Sequence, residues 1–176
     1  MGAAALIIGL DAGRHSVRDA ERLLTALPLG AATMACTHFI RTGTPHVALS
    51  VSVPDDVDPT ALEPEISFAA GDLRRGPLAA SAALAAAAHG TGGRAVLFPG
   101  SAMLTGTVAV ADVLARTAID EIRVLGGGSH ARLLTRDFVR PEWTDGRLVL
   151  AATPVGPDTI APFELPNPTP CCADHD

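Results

Sequence analysis

A chain of 176 residues with a net charge of −6 is long enough to bury a hydrophobic core and too acidic to favour nonspecific binding to nucleic acid. Apolar residues make up 48% of the chain, which argues against a disordered protein. All 13 basic residues are arginine, which excludes chemistry that depends on lysine, such as a Walker A phosphate site or a Schiff base.

The lack of a long apolar run, the N-terminal residues and the cysteines predict a cytoplasmic protein without a membrane partner. No apolar run approaches the roughly 20 residues that a transmembrane helix needs. Residues 1–13 lack the basic region that begins a signal peptide, and they run directly into a polar loop. The three cysteines are an odd number, which argues against the disulfide framework of a secreted protein.

The first third of the chain predicts three strands and a helix. Residues 4–11 are an apolar run typical of a strand that is buried on both faces, as in a parallel sheet. Ser16 is the predicted N-cap of a helix, with Asp19 in the capping-box position. Residues 31–54 predict two antiparallel strands joined at 41–45, the second of them half-exposed because valine and leucine alternate with alanine and serine.

The rest of the chain alternates between predicted strands and helices after an acidic, Pro-rich loop at 54–65. In order, we expect a strand at 66–72, an Ala-rich helix within 76–93, a strand at 94–100, a helix at 104–118, a strand at 121–128, a hairpin at 138–154 that turns at Asp145-Gly146, and a short strand within 161–166.

This alternation predicts an α/β fold, a three-layer sandwich with a mixed, mainly parallel sheet. A C-terminal β-hairpin and an extended Pro-rich tail complete the prediction. Residues 1–165 are expected to form a single domain. Residues 166–176 are expected to form a Cys/His tail that docks on this domain or on a neighbouring subunit.

Ligands of an open parallel sheet bind at the carboxyl ends of its strands, and three loops are predicted to meet there: 11–16, 99–107 and 126–130. The candidate catalytic residues in these loops are Asp11, His15 and His130. The candidate ligand-binding residues are Arg14, Ser101, Thr105, Gly127 and Ser129.

The first of these loops places a carboxylate, an arginine and a histidine just before a helix N-terminus, which attracts anions. In the alternative interpretation, Asp11 and Ser16 cap the turn while Arg14 and His15 are solvated. The glycines at 126–128 would let a phosphate approach the backbone closely, although a flexible turn at the end of a strand explains them as well.

All three cysteines lie within four residues of a histidine, which suggests a transition-metal site. Cys36 and His38 share one face of a predicted strand. Cys171, Cys172 and His175 form a Cys-Cys-x-x-His sequence in the tail. Thiolate and imidazole ligands suit Zn or Cu. Otherwise Cys36 is a buried core residue and the tail is a redox-labile appendage.

The leading hypothesis from the sequence is therefore a small protein that binds Zn or Cu through its C-terminal tail, with or without metal-dependent catalysis. The first alternative is a metal-free enzyme or binding protein for a small anionic metabolite at the strand-end loops, where Arg14 holds the anion and His15 or His130 transfers protons. The second alternative is a homo-oligomeric scaffold without catalysis, which packs through its Ala-rich faces.

Overall fold

Strands dominate this fold. The structure is a computed structural model that describes residues 5–28 and 32–165. Strands make up 41% and helices 20% of the structure, and the described strands form one mixed sheet of 12. In chain order the strands are β1 (Ala5–Arg14), β2 (Met34–Ile40), β3 (His46–Pro54), β4 (Ser67–Ala70), β5 (Leu73–Arg75), β6 (Arg94–Leu97), β7 (Thr107–Ala109), β8 (Glu121–Val124), β9 (Arg132–Leu134), β10 (Glu142–Thr144), β11 (Arg147–Gly156) and β12 (Thr159–Pro162).

The helices are short. They are α1 (Val17–Ala26), α2 (Ala79–Ala87) and α3 (Val110–Arg116), with two 3-10 turns at Pro59–Ala61 and Ser101–Met103. The predicted start of α1 is confirmed: the Ser16 hydroxyl oxygen accepts a hydrogen bond from the Asp19 N–H at 3.1 Å and donates one to Asp19 Oδ2 at 2.6 Å. The third helix begins later than predicted because the preceding residues pair with β9 as strand β7.

The sheet is mostly antiparallel. Its strand order is β5-β4-β1-β3-β2-β6-β10-β11-β12-β9-β7, and β8 pairs with β11. Among the described strands, only the β8–β11 and β9–β12 pairs are parallel. The predicted three-layer sandwich with a mainly parallel sheet is therefore wrong.

The physical reason lies in the connections. A strand–helix–strand sequence produces a parallel pair only when its two strands become neighbours in the sheet. Here β4 precedes α2 and pairs with β1, whereas β6 follows α2 and pairs antiparallel with β2. The alternation along the chain is real, but it does not build parallel crossovers.

The two predicted hairpins are confirmed. Strands β2 and β3 pair antiparallel across the turn at 41–45. The hairpin of β10 and β11 turns at Asp145 and Gly146, whose φ angles of 52° and 74° are those of a two-residue turn with both central residues in the left-handed region. However, β3 is not half-exposed, because it is buried on both faces from Val47 to Val53.

Helices α1 and α2 cover opposite faces of the β1–β3–β2 part of the sheet. Leu23 and Leu24 of α1 pack against a core cluster that contains Ile8 and Leu10 of β1. The residue between these two, Gly9, faces α2, since a Cβ at this position would lie 1.8 Å from the Ala82 carbonyl oxygen. The Ala-rich helix therefore lies almost directly on the sheet backbone.

A second apolar cluster fills the part of the sheet from β6 to β9 in the strand order. Its fully buried members include Leu133, Leu148, Leu150 and Ile160, with Val113 of α3 packed among them. No described helix is long and apolar enough to cross a membrane.

Candidate functional site

Several buried polar side chains of the first half of the chain lie beneath α2, among them Asp11, His38 and Ser50. The helix contacts β1, β2, β3 and β4. Two polar clusters are found under it, one at each end. The Asp11 cluster consists of Asp11, Gly13, His46 and Ser81, and the Ser50 cluster consists of Cys36, His38, Ser50 and His89.

The Asp11 carboxylate is the centre of the first cluster and is only 1% exposed. The Gly13 N–H donates a hydrogen bond to Oδ1 at 2.9 Å, and His46 Nε2 lies 2.7 Å from Oδ2. The Ser81 hydroxyl also donates to Oδ2. A buried carboxylate needs such donors to offset its lost hydration.

The His46 ring is held as an imidazolium by two acceptors. Its Nδ1 lies 2.8 Å from the Thr44 carbonyl oxygen, and its Nε2 faces the Asp11 carboxylate. Neither partner can donate a proton, so the ring must donate from both nitrogens. The hydrogen bond to Thr44 raises the pKa of His46, burial opposes it in part, and Asp11 raises it further.

This arrangement is not that of a serine hydrolase. In a catalytic triad the serine hydroxyl contacts the histidine, whose second nitrogen contacts the carboxylate. Here the Ser81 hydroxyl shares its hydrogen between Asp11 and the Leu78 carbonyl oxygen, and both nitrogens of His46 are already occupied. Ser81 has no base, so its role is to hold the carboxylate.

Two neighbouring cavities open beside His46. They have volumes of about 560 Å³ and 340 Å³, and both are lined by His15 and His46. The larger one also contacts the hydroxyl-bearing Thr42 and Thr44 and the first turn of α2, and the smaller one contacts Arg41. None of the described residues that line either cavity is an aspartate or glutamate. The cavity walls therefore carry cationic and hydroxyl groups but no carboxylate.

The Ser50 cluster lies at the other end of α2. Ser50 is completely buried, and its Oγ lies 2.8 Å from His38 Nε2 and 2.7 Å from His89 Nδ1. Since a hydroxyl has one hydrogen, Ser50 donates to one ring and accepts from the other. Burial, and then the nearby His89, lower the pKa of His38 to about 4, and burial lowers the pKa of His89 as well. Both rings are therefore neutral at pH 7.

Cys36 completes this cluster as a thiol. Burial raises its pKa to about 11, an effect that the Trp143 and Ser50 side chains only partly offset. The Trp143 indole N–H lies close enough to the sulfur to lower the pKa of the thiol, but it forms no regular hydrogen bond with a described group. A thiolate, the form of cysteine that ligates metals and attacks electrophiles, is disfavoured at this position.

Of the three predicted loops, the structure places loop 11–16 beside two residues that were not predicted, His46 and Ser81. Asp11 and His15 belong to the His46 region, and exposed Arg14 ends β1 opposite Val47. His15 Nδ1 lies 3.3 Å from the Pro45 carbonyl oxygen.

The other two predicted loops leave the opposite end of the sheet from β1. Loop 99–107 follows β6, which runs in the opposite direction to β1 because the β1–β3, β3–β2 and β2–β6 pairs are all antiparallel. Loop 126–130 follows β8, whose partner β11 is separated from β1 by four strands. Thr105 and Ser129 are exposed there, Ser101 accepts a hydrogen bond from Phe98, and Gly127 has a φ of 76°. The His130 Nδ1 is buried without a described hydrogen-bond partner.

The predicted metal ligands are only partly described. Cys36 and His38 share one face of β2, as predicted, and both adjoin Ser50. Cys171, Cys172 and His175 lie outside the described residues. Within residues 5–28 and 32–165, no three His, Cys, Asp or Glu side chains are arranged to hold a metal ion.

Sequence reasoning missed His46, Ser81, Ser50 and His89. A signal existed for Ser50, because the predicted hairpin at 41–45 places it opposite Cys36 in register. Ser81 and His89 come from α2, whose position over the sheet follows from Gly9 and cannot be read from periodicity. Comparison with protein-family models, curated proteins and solved structures gives no match to this chain.

Proposed function

We propose that this protein binds a small metabolite with a carboxylate or phosphate group in the two cavities beside His46. The observation that carries the proposal is the His46 ring, whose two nitrogens both face acceptors, so that a protonated imidazole borders the cavities. This refines the sequence-based alternative of a metal-free protein for an anionic metabolite.

The composition of the cavity walls supports an anionic ligand. Asp11 balances the charge of His46 but is itself buried behind the ring, so the cavities meet the cation and not the carboxylate. Arg41 adds a second positive charge. Ala80 and Ser81, in the first turn of α2, add backbone dipoles whose positive ends point out of the helix N-terminus.

His15 is the group best placed to exchange a proton with a bound ligand. Its Nδ1 lies beside the Pro45 carbonyl oxygen, which leaves Nε2 for a ligand. Arg14 is the anion-binding arginine predicted from the sequence, but it is not among the residues that line the two cavities, whereas Arg41 is. His130 is expected to take no part, because its loop belongs to another region of the sheet.

Binding of Zn or Cu by the tail and an oligomeric scaffold both remain predictions from the sequence. Metal analysis of protein purified without a histidine tag tests the first. Stoichiometric metal that is lost when Cys171 and Cys172 are replaced by serine would support it.

The proposed anion site is tested by calorimetric titration and thermal unfolding with phosphate and with acetate. At a ligand concentration one hundred times the dissociation constant, binding stabilises the folded state by about 2.7 kcal/mol. For a chain of this size, that corresponds to an increase in the melting temperature of roughly 5–10 °C.

The informative variant is the double substitution Asp11→Asn/His46→Gln. It removes both charges of the buried pair and so leaves no unpaired buried carboxylate, and we expect it to abolish the stabilisation by anions. The matched control is His130→Gln, which should bind like the wild type. Equal binding by the wild type and the double variant, or loss of binding in His130→Gln, would contradict the proposal.

A further inference from the structure

Strand β2 extends beyond its neighbour β6, so part of its edge has no partner strand. β6 begins at Arg94, which lies opposite Thr37, whereas β2 continues to Ile40. On its other edge, β2 pairs with β3 along its whole length. No described strand therefore lies beside residues 38–40 on the side of β6.

The backbone of Phe39 faces this open edge. The Gly93 carbonyl oxygen and the Ala95 N–H form hydrogen bonds on the side of β10. The backbone groups of Arg94, which lies between them, therefore face β2 and its partner Thr37. Because successive residues of a strand direct these groups to alternate sides, the N–H and C=O of Phe39 point the same way as those of Thr37. An unpaired edge of this kind is a template for a further strand.

The open edge is the floor of a groove of about 470 Å³, which we call the edge groove. Residues 37–42 line it, together with Leu84 of α2 and Trp143 of β10. Phe39 and Leu84 are 62% and 53% exposed. Phe39 alternates with His38, which lies beneath α2, so Phe39 and Leu84 flank the edge from opposite faces of the sheet. Unpaired backbone between apolar side chains is typical of sites that bind an extended segment as an added strand.

The described part of the chain ends beside this groove. Glu164 Oε1 lies 2.7 Å from Nη2 of Arg94, and Arg94 lines the groove. The preceding strand, β12, is connected to β2 by four successive antiparallel pairs through β11, β10 and β6. β12 and β2 therefore run in the same direction. The chain thus approaches Leu165 on its way to the end of the sheet where the edge of β2 is open.

The segment that follows Leu165 suits the groove in length, backbone chemistry and charge. At about 3.3 Å per residue, residues 166–176 reach at most about 36 Å, which exceeds the roughly 20 Å along residues 37–42. Residues 171–176 contain no proline, so each of them has a backbone N–H to donate. This stretch carries Asp174 and Asp176, and the exposed Arg41 lines the groove.

We propose that residues 171–176 bind in the edge groove of their own chain as an added strand parallel to β2. Their backbone would bond to the open edge at Phe39, and their side chains would alternate between Phe39 and Leu84. This assigns a docking site to the tail predicted from the sequence. The proposal does not rest on the anion site, and neither of its tests uses an anion.

Disulfide trapping tests where the tail lies, because the tail carries its own cysteines. In full-length protein with Cys172→Ser, a thiol is introduced by Leu84→Cys or by the matched control Leu73→Cys. Both leucines are 53% exposed, but only Leu84 lines the groove. At low protein concentration with oxidised glutathione, Leu84→Cys should form an intramolecular disulfide with Cys171 at least about tenfold faster than Leu73→Cys, since docking raises the effective concentration of the tail thiol.

Hydrogen exchange by NMR tests the strand pairing itself. Of two adjacent residues in a strand, one directs its backbone groups to the neighbouring strand, so Cys172→Pro/Ala173→Pro must remove a donor or distort the pairing whatever the register. The amide of Phe39 should exchange at least about tenfold faster in this variant than in the wild type. The control Cys172→Ser/Ala173→Ser retains every backbone N–H and should keep the slow exchange.

Three outcomes would overturn the proposal. The first is equal disulfide formation in Leu84→Cys and Leu73→Cys. The second is a disulfide that joins two chains in Leu84→Cys, because the groove would then hold the tail of a second copy. The third is a Phe39 amide that exchanges at the same rate in the wild type and in the proline variant.

Discussion

The buried His38 predicts a specific loss of stability in acid. In the unfolded chain a histidine has a pKa of about 6.5, whereas burial beside His89 lowers the pKa of His38 to about 4 in the folded protein. Between these values the unfolded state binds more protons than the folded state. The contribution of His38 is therefore present in full above pH 6.5 and is lost as the pH falls towards 4.

The size of this loss follows from the two pKa values. Each pH unit between them costs about 1.4 kcal/mol, so lowering the pH from 7 to 4.5 removes roughly 2–3 kcal/mol through His38 alone. A domain with a total stability of about 5–15 kcal/mol would show this clearly. His89 acts in the same direction, because burial lowers its pKa as well.

The assay is urea unfolding at pH 7, 6, 5 and 4.5 for the wild type, His38→Gln and His15→Gln. Glutamine retains a polar nitrogen near the position of Nε2, and with it the contact to Ser50, but it does not titrate. We expect His38→Gln to lose roughly 2–3 kcal/mol less than the wild type over this range. The control His15→Gln replaces an exposed histidine outside the Ser50 cluster, so it should not reproduce the effect of His38→Gln. Parallel pH profiles for all three proteins would refute the protonation state that the Ser50 cluster implies.

Three further predictions concern packing, His46 and Cys36. Gly9→Ala places a methyl group 1.8 Å from the Ala82 carbonyl oxygen, so urea unfolding should show a destabilisation of about 3 kcal/mol or more. The control Gly92→Ala has 4.0 Å of clearance and should change stability by less than about 1 kcal/mol. The pKa of His46 is raised in the folded protein, so its contribution to the free energy of unfolding is complete below about pH 6.5 and is lost as the pH rises through the folded-state pKa. Urea unfolding from pH 6.5 to 9 should therefore show a steeper loss of stability for the wild type than for His46→Gln. Cys36 should remain unmodified when the native protein is treated with iodoacetamide and mapped by peptide mass spectrometry, because the thiol is buried and its pKa is about 11. Rapid alkylation of Cys36 in the native protein would contradict this burial.

The local elements of this fold can be predicted from the sequence better than its topology. The capping box at Ser16 and the turn at Asp145-Gly146 are confirmed because such signals depend on neighbouring residues alone. Strand pairing depends on contacts between distant residues, and the same strand–helix alternation is compatible with parallel and antiparallel sheets.

The serines of β3 show the same limit. Alternating Val and Ser predicts one face in the core and one face in water. In the structure α2 covers the serine face, and Ser50 becomes the centre of a buried cluster. The sequence did predict Asp11 and His15 as neighbours of a strand end, but His46 and Ser81 join them through tertiary contacts that no motif encodes.

The central claim is that a protonated His46 borders an anion-binding cavity, and nitrogen NMR of the histidine rings at pH 7.5 tests it most directly. The predicted result is a His46 ring that carries hydrogens on both nitrogens in the free protein and whose nitrogen signals shift saturably when phosphate is added. A His46 ring with one bare nitrogen at this pH, or signals that phosphate leaves unchanged, would contradict the claim.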